Sequence, residues 1–262
     1  MELYNENCFD RLKLLNEKSI HLVVSDPPYG ISFSGNDWDC LSKEEYTNLM
    51  IRYLSEVKRI LVDNGSAWIF FGPSMVMEFL NAVKKVGLYP HLDNWKSICR
   101  QKGRGAKYKL KSQREDFILL TKNPTNYVMN NVSDLFNYKE NITNILNYFT
   151  GEVERPPFVF SNVIYNFKMP YYLSKTEKHI HSCQKSILLL YALIMNSSKK
   201  GDIVFDGFAG SGSCMIASKL ADRDFIGCEL DSEMHKKALK WFESFDFNDY
   251  RKNYLKWRWG TV

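Results

Sequence analysis

Apolar positions along the chain switch between two periods. Tyr46, Leu49, Met50, Tyr53, Leu54, Val57, Ile60 and Leu61 recur at spacings of three and one, which predicts a helix over 44–61 with one buried face. Leu22-Val23-Val24 is a short β run that meets Asp26-Pro27-Pro28. Prolines cannot continue a central strand, so the run ends there. Asn64-Gly65 predicts a turn into a second β run over 67–71. A helix near 75–86 should stop at Gly87, and 115–121 reads as a further strand.

From 122 to 178 the periodicity fails. Asn is abundant there (Asn123, Asn126, Asn130, Asn131, Asn137, Asn141, Asn144 and Asn147), and Pro156-Pro157 interrupts the segment. An irregular insertion with short helices, one near 139–149, is expected. Regularity then returns. Residues 184–196 are apolar on nearly every side, as in a buried helix. A strand over 202–205, a helix over 212–220, a strand over 224–228 and a helix over 231–242 follow. Alternating β and α elements predict an α/β fold with a parallel sheet and right-handed crossovers. Residues 1–121 and 179–244 would form its two halves, 122–178 the insertion, and 245–262 a basic, aromatic tail.

Composition narrows the class. The chain has 262 residues, 45% of them apolar and 25% charged, which suits one large folded domain and argues against disorder. No apolar run is long enough to span a membrane, and MELYNENCFD carries acids instead of a signal pattern. A cytoplasmic protein is expected. The six cysteines form no CxxC pair and no zinc-type cluster, so no metal is expected and free thiols are the default. A net charge of +5 permits a nucleic-acid partner without requiring one.

Two strand ends carry the chemistry. Asp206-Gly207-Phe208-Ala209-Gly210-Ser211-Gly212 closes one of them. Its glycines let backbone N–H groups approach a ligand, and the helix that follows directs its N-terminal donors there. Glu229, 17 residues past Gly212, ends the next strand and suits a ribose diol. The G-x-x-G-x-G spacing is neither the dinucleotide fingerprint nor a Walker loop. Asp206 would repel a pyrophosphate and attract a cationic amino-acid head group, which favours S-adenosylmethionine (SAM) over NAD. A plain strand-to-helix turn remains the alternative. At the other end, Asp26-Pro27-Pro28-Tyr29 is stiffened by its prolines. Asp26 and the Pro27 carbonyl form two fixed acceptors for an exocyclic amine, and Tyr29 offers a face for a planar ring. The alternative is a turn in which Asp26 caps a helix and Tyr29 packs.

Taken together, the two motifs resemble the DNA amino-methyltransferases, which methylate adenine N6 or cytosine N4 with SAM. Asp26-Pro27-Pro28-Tyr29 matches their D/N/S-P-P-Y/F signature and Phe208-Ala209-Gly210-Ser211-Gly212 their F-x-G-x-G. The catalytic motif precedes the cofactor motif, as in the circularly permuted beta arrangement. The resemblance covers about residues 1–121 and 179–244 and implies a Rossmann-like sheet with an inserted target-recognition segment. Asp at position 26 points to adenine over cytosine. The resemblance also implies cofactor contacts from Asn7 and Cys8, where the family usually has Asp in place of Asn7. It implies further contacts from Ser182, Gln184 and Lys185 in a segment like H-P-T-Q-K-P, from which Ser182, Cys183 and Ser186 depart. Asp37-Trp38-Asp39 resembles an acidic-aromatic stretch after the catalytic motif.

Arg100, Lys102, Arg104, Lys107, Lys109, Lys111 and Arg114 form a run without an acid, and Gly103 and Gly105 suggest a flexible loop. Such a run suits a phosphate backbone, although most charge runs are solvated surface. Phosphate contacts carry no sequence information, so base reading falls to the 122–178 insertion. The expected activity is SAM-dependent methylation of adenine N6 on a base flipped out of DNA, without metal or covalent intermediate. Cytosine N4, RNA or single-stranded DNA, and an idle DNA-binding subunit are the alternatives. A cognate restriction endonuclease and a homodimer remain open as partners.

Overall fold

The computed structural model describes residues 1–30, 39–104, 112–130, 163–164, 180 and 184–251. Its centre is an eight-stranded sheet in the order β1-β8-β7-β2-β3-β5-β4-β6. The strands are β1 (Glu2–Tyr4), β2 (Ile20–Ser25), β3 (Leu61–Phe71), β4 (Tyr89–Arg104), β5 (Ser112–Thr121), β6 (Val163–Ile164), β7 (Ile203–Asp206) and β8 (Asp224–Cys228). The helices are α1 (Cys8–Leu14), α2 (Lys43–Ile60), α3 (Val76–Val86), α4 (Ile187–Ser197), α5 (Ser213–Leu220), α6 (Ser232–Glu243) and α7 (Phe247–Tyr250).

β1, β8, β7, β2 and β3 run parallel, and β5 and β4 continue antiparallel. β2 leads outward to β3 while β7 leads the opposite way to β8, so the order reverses between β2 and β7. In open α/β sheets the ligand crevice lies at the C-terminal ends of strands at such a reversal. Leu22 pairs with Val204 and Val23 with Phe205, so the two motif-bearing strands are neighbours.

Alternation along the strands fills both faces. Leu22 and Val24, Trp68 and Phe70, Phe117 and Leu119 point to one face, under α4 and α5. Val23, Ala67, Ile69 and Phe71, Ile118 and Leu120 point to the other, under α1, α2 and α3. α4 is buried along almost its whole length, as its uniform apolarity predicts. It begins at Ile187, later than expected. α2 starts in a capping box in which Ser42 Oγ accepts from Glu45 N and Glu45 reaches back to Ser42 N. α3 stops at Gly87, which takes the left-handed conformation at φ 73°.

Three expectations change. Asn64-Gly65 makes no turn between elements; it lies inside β3, where the pairing with β2 slips between Ile20 and Leu22. Gly65 is needed there because a Cβ would stand 2.9 Å from the His21 carbonyl oxygen. The basic run is not simply a loop. Arg100, Lys102 and Arg104 lie on β4 and Arg114 on β5, as arms of an antiparallel hairpin in which Arg104 pairs with Ser112. Lys107, Lys109 and Lys111 lie outside the described residues. The start of the tail also has structure: α7 folds back so that Phe245 contacts Trp241, Phe247 and Tyr250. The helix expected at 139–149 lies outside the described residues. β6, within the insertion, adds to the outer edge of β4.

Candidate active site

β2 and β7 deliver two carboxylates to one cavity of about 1000 Å³, lined by residues 24–29, 206–211, Gln184, Lys185 and Glu229 among others. Asn7 and Cys8 also line it. The expected residues that the structure describes on the N-terminal segment, the two motifs and the 184–185 pair therefore converge, except Gly212, which does not line the cavity. Ser182 lies outside the described residues.

On the β7 side, Asp206 is buried, and its carboxylate accepts from Phe208 N at 3.0 Å. Burial raises its pKa to about 7, opposed by the hydrogen bonds from Phe208 and Ser25. Ser25, the last residue of β2, was not foreseen. Its Oγ accepts from Tyr53 OH at 2.7 Å and from Gly207 N at 3.2 Å. Its hydroxyl also bonds Asp206, so the end of the catalytic strand is tied to the cofactor-type turn. In the sequence Tyr53 is marked only as an apolar position of α2. Its ring meets Phe208 edge-on at 5.0 Å, and a Cβ at Gly207 would come within 3.0 Å of it. That contact makes glycine a requirement of the turn.

Gly210, at φ 51°, donates its N–H to Glu229 Oε2 at 2.8 Å. Asp231 N donates to Glu229 Oε1 at 2.8 Å. Glu229 is thus held rigidly, with one backbone donor on each oxygen and lone pairs to spare. Burial raises its pKa as well. Gly212, at φ 79°, places α5 against α6, since a Cβ there would stand 3.2 Å from Ala238 Cβ. Asn7 caps α1, its Oδ1 accepting from Phe9 N at 3.0 Å. Burial pushes the Cys8 thiol up to about 12. Gln184 Oε1 accepts from Ile180 N at 2.9 Å.

On the β2 side, Tyr29 OH donates to Asp26 Oδ1 at 2.6 Å. Lys185 Nζ donates to Asp26 Oδ2 and stands 3.7 Å from Glu115 Oε2. Asp39, 1% exposed, fixes the loop from outside, its Oδ1 accepting from Tyr29 N at 2.7 Å and Gly30 N at 2.8 Å. Neither Asp39's grip nor the Lys185–Glu115 approach has a local signature in the sequence. The first closes a loop within the stretch after the catalytic motif, and the second joins segments distant along the chain. Among the described residues no group of three or more His, Cys, Asp or Glu is arranged to hold a metal.

One strand-end carboxylate beside a glycine turn and another on a diproline loop, side by side across a sheet reversal, is the arrangement expected of an amino-methyltransferase. A family model described as DNA methylase, covering N6 and N4 enzymes, matches residues 20–240. The chain belongs to this DNA methylase family. It is 28% identical to the Type II methyltransferase M.HpaI of Haemophilus parainfluenzae, across 93% of this chain and 74% of that one. It is 29% identical to the Type II methyltransferase M1.MboII of Moraxella bovis, across 90% and 94% of the two chains. It is also 29% identical to the DNA adenine methyltransferase YhdJ of Escherichia coli (strain K12), across 87% and 78%. Among solved structures, M1.HpyAVI in complex with SAM superposes with a TM-score of 0.62 at 21% identity, covering 92% of this chain and 98% of that one. The cytosine-N4-specific PvuII methyltransferase superposes with a TM-score of 0.67 at 17% identity, covering 97% and 91%. This DNA methylase therefore has the SAM-dependent methyltransferase fold in permuted order. Among its described residues no helix is long and apolar enough to cross a membrane.

Proposed function

We propose that this DNA methylase transfers a methyl group from SAM to the N6 amine of an adenine flipped out of DNA. The observation that carries this reading is the adjacency of Asp26 and Asp206 at the ends of β2 and β7. The donor set fits SAM. Asp206 supplies a buried carboxylate for the methionine ammonium, Glu229 a braced carboxylate for the ribose hydroxyls, and Gly207, Gly210 and Gly212 a turn without Cβ atoms. Phe208, Ala209, Ser211, Asn7, Cys8 and Gln184 complete the wall. Bound there, SAM supplies an electrophilic methyl group.

The protein's own residues orient the acceptor. Asp26 and the Pro27 carbonyl accept the two N–H groups of the amine, which draws the nitrogen toward tetrahedral geometry and aims its lone pair at the donor. Pro28 holds the loop stiff, and Tyr29 stacks on the ring. Asp26 is also placed to accept the proton that the alkylated nitrogen must lose. Adenine is favoured over cytosine because position 26 is Asp, which goes with N6 in the resembling motif. The adenine-specific YhdJ relative points the same way. Arg100, Lys102, Arg104 and Arg114, on the β4–β5 hairpin, and Lys107, Lys109 and Lys111 of the same basic run would neutralise DNA phosphates. The 122–178 insertion would read the site.

Expression in a methylation-free host, followed by mass spectrometry of digested DNA, should show N6-methyladenine. N4-methylcytosine would replace this reading with the cytosine one, and no modified base would end it. Asp26→Ala should slow transfer by about 10²–10³-fold, the scale of losing one fixed transition-state partner. Its SAM dissociation constant by calorimetry should stay within about twofold of the parent.

A further inference from the structure

Asp26 Oδ1 accepts from Tyr29 OH and Oδ2 from the Lys185 ammonium. An incoming exocyclic amine must share this carboxylate with them. Tyr29 serves as the stacking face, so the flexible Lys185 chain is the donor that can make way. The lysine has a place to go. Glu115 Oε2 lies 3.7 Å from Nζ, and both side chains are 11% exposed. The route between the two carboxylates is bounded by aromatic faces that favour a cation. Nζ stands 5.1 Å from the Phe70 ring centroid, 5.6 Å from that of Tyr29 and 3.5 Å from the Tyr29 hydroxyl.

We propose that Lys185 is a two-seat positioning residue: its ammonium occupies the amine's place on Asp26 until the target base enters, then shifts onto Glu115. This rests on the adenine-amine reading above and adds to it. On Asp26, the ammonium holds the carboxylate aimed into the cavity without a base. On Glu115, it keeps its charge compensated in a largely buried site, so base entry does not leave a lone buried cation. Glu115 thereby becomes part of the transfer reaction by acting through Lys185.

The test is single-turnover methylation of unmethylated plasmid DNA by four proteins: the parent, Glu115→Gln, Lys185→Met and the double variant. SAM-induced thermal stabilisation is measured on each to establish that it is folded and loaded. Glu115→Gln removes the second seat and should slow transfer at saturating DNA at least tenfold, with half-saturating DNA concentration changed less than threefold. Adding Lys185→Met removes the occupant that can no longer leave, so the double variant should be faster than Glu115→Gln alone. A purely structural role for either residue gives losses that accumulate. A double variant as slow as or slower than Glu115→Gln, or a Glu115→Gln protein at parental rate, overturns the two-seat proposal. An inactive parent overturns the methyltransfer reading and this proposal with it.

Discussion

Asp206 is the residue whose environment most constrains function. Its carboxyl is raised to about 7 by burial, so near neutral pH it is only partly ionised in the free protein. A group raised in the folded state binds more protons there than in the unfolded chain. Its contribution to stability is therefore present below about pH 4, the ordinary carboxyl range, and is lost as pH rises toward 7. Recognition of an ammonium has the opposite sign, because it needs the carboxylate. SAM affinity measured by calorimetry should rise as pH increases from about 6 to 8, and SAM binding should release fewer protons at the upper end. Asp206→Asn should bind SAM more weakly and lose this pH dependence. A parental profile in that variant would remove Asp206 from ammonium recognition. Asp26 and Asp206 share a residue type and a strand end, but they differ in partners. The first is already paired with a cation and a phenol, whereas the second lies among backbone amides and a hydroxyl.

Elements explain why the site holds its shape. The turn between β7 and α5 is fixed by glycines whose absent side chains face specific neighbours: Tyr53 at Gly207 and Ala238 at Gly212. Gly212→Ala should destabilise the protein by about 1–2 kcal/mol from the left-handed backbone alone. It should also weaken SAM binding as α5 shifts from α6. Both can be read from denaturant unfolding with and without SAM. The sequence made the ends of β2 and β7 legible because proline and glycine are strong local punctuation. It made α2, α3 and α4 legible because their apolar faces are long. It did not reveal the hairpin of β4 and β5. Basic residues and Gly103 hide the strand pattern there, and pairing with the buried run of β5 overrides it. Nor did it reveal Ser25 or Glu115 as site residues, and it placed Asp39 only in an acidic-aromatic stretch, without its grip on the catalytic loop. Each is a common polar residue whose meaning comes from a partner in another part of the chain: Tyr53 and Gly207, the Tyr29–Gly30 amides, and Lys185.

At the scale of the molecule, the sheet reversal between β2 and β7 puts the proposed acceptor and donor sites side by side, although 180 residues separate Asp26 from Asp206. β2 and β7 meet through backbone hydrogen bonds, and Asn130, in the described start of the insertion, donates to the carbonyls of Met195 and Ser198 at the end of α4. These contacts are non-covalent, so with the covalent tether cut the association of the halves would be a binding reaction in its own right. Residues 1–130 and 180–262 produced as separate polypeptides should recombine on mixing and regain SAM binding that neither shows alone, as calorimetry would register. Failure of mixed fragments to bind SAM would show that the tether, and not the strand seam, holds the crevice together. If they do recombine, this architecture can be cut and its pieces reordered along a gene while the same two carboxylates still face each other.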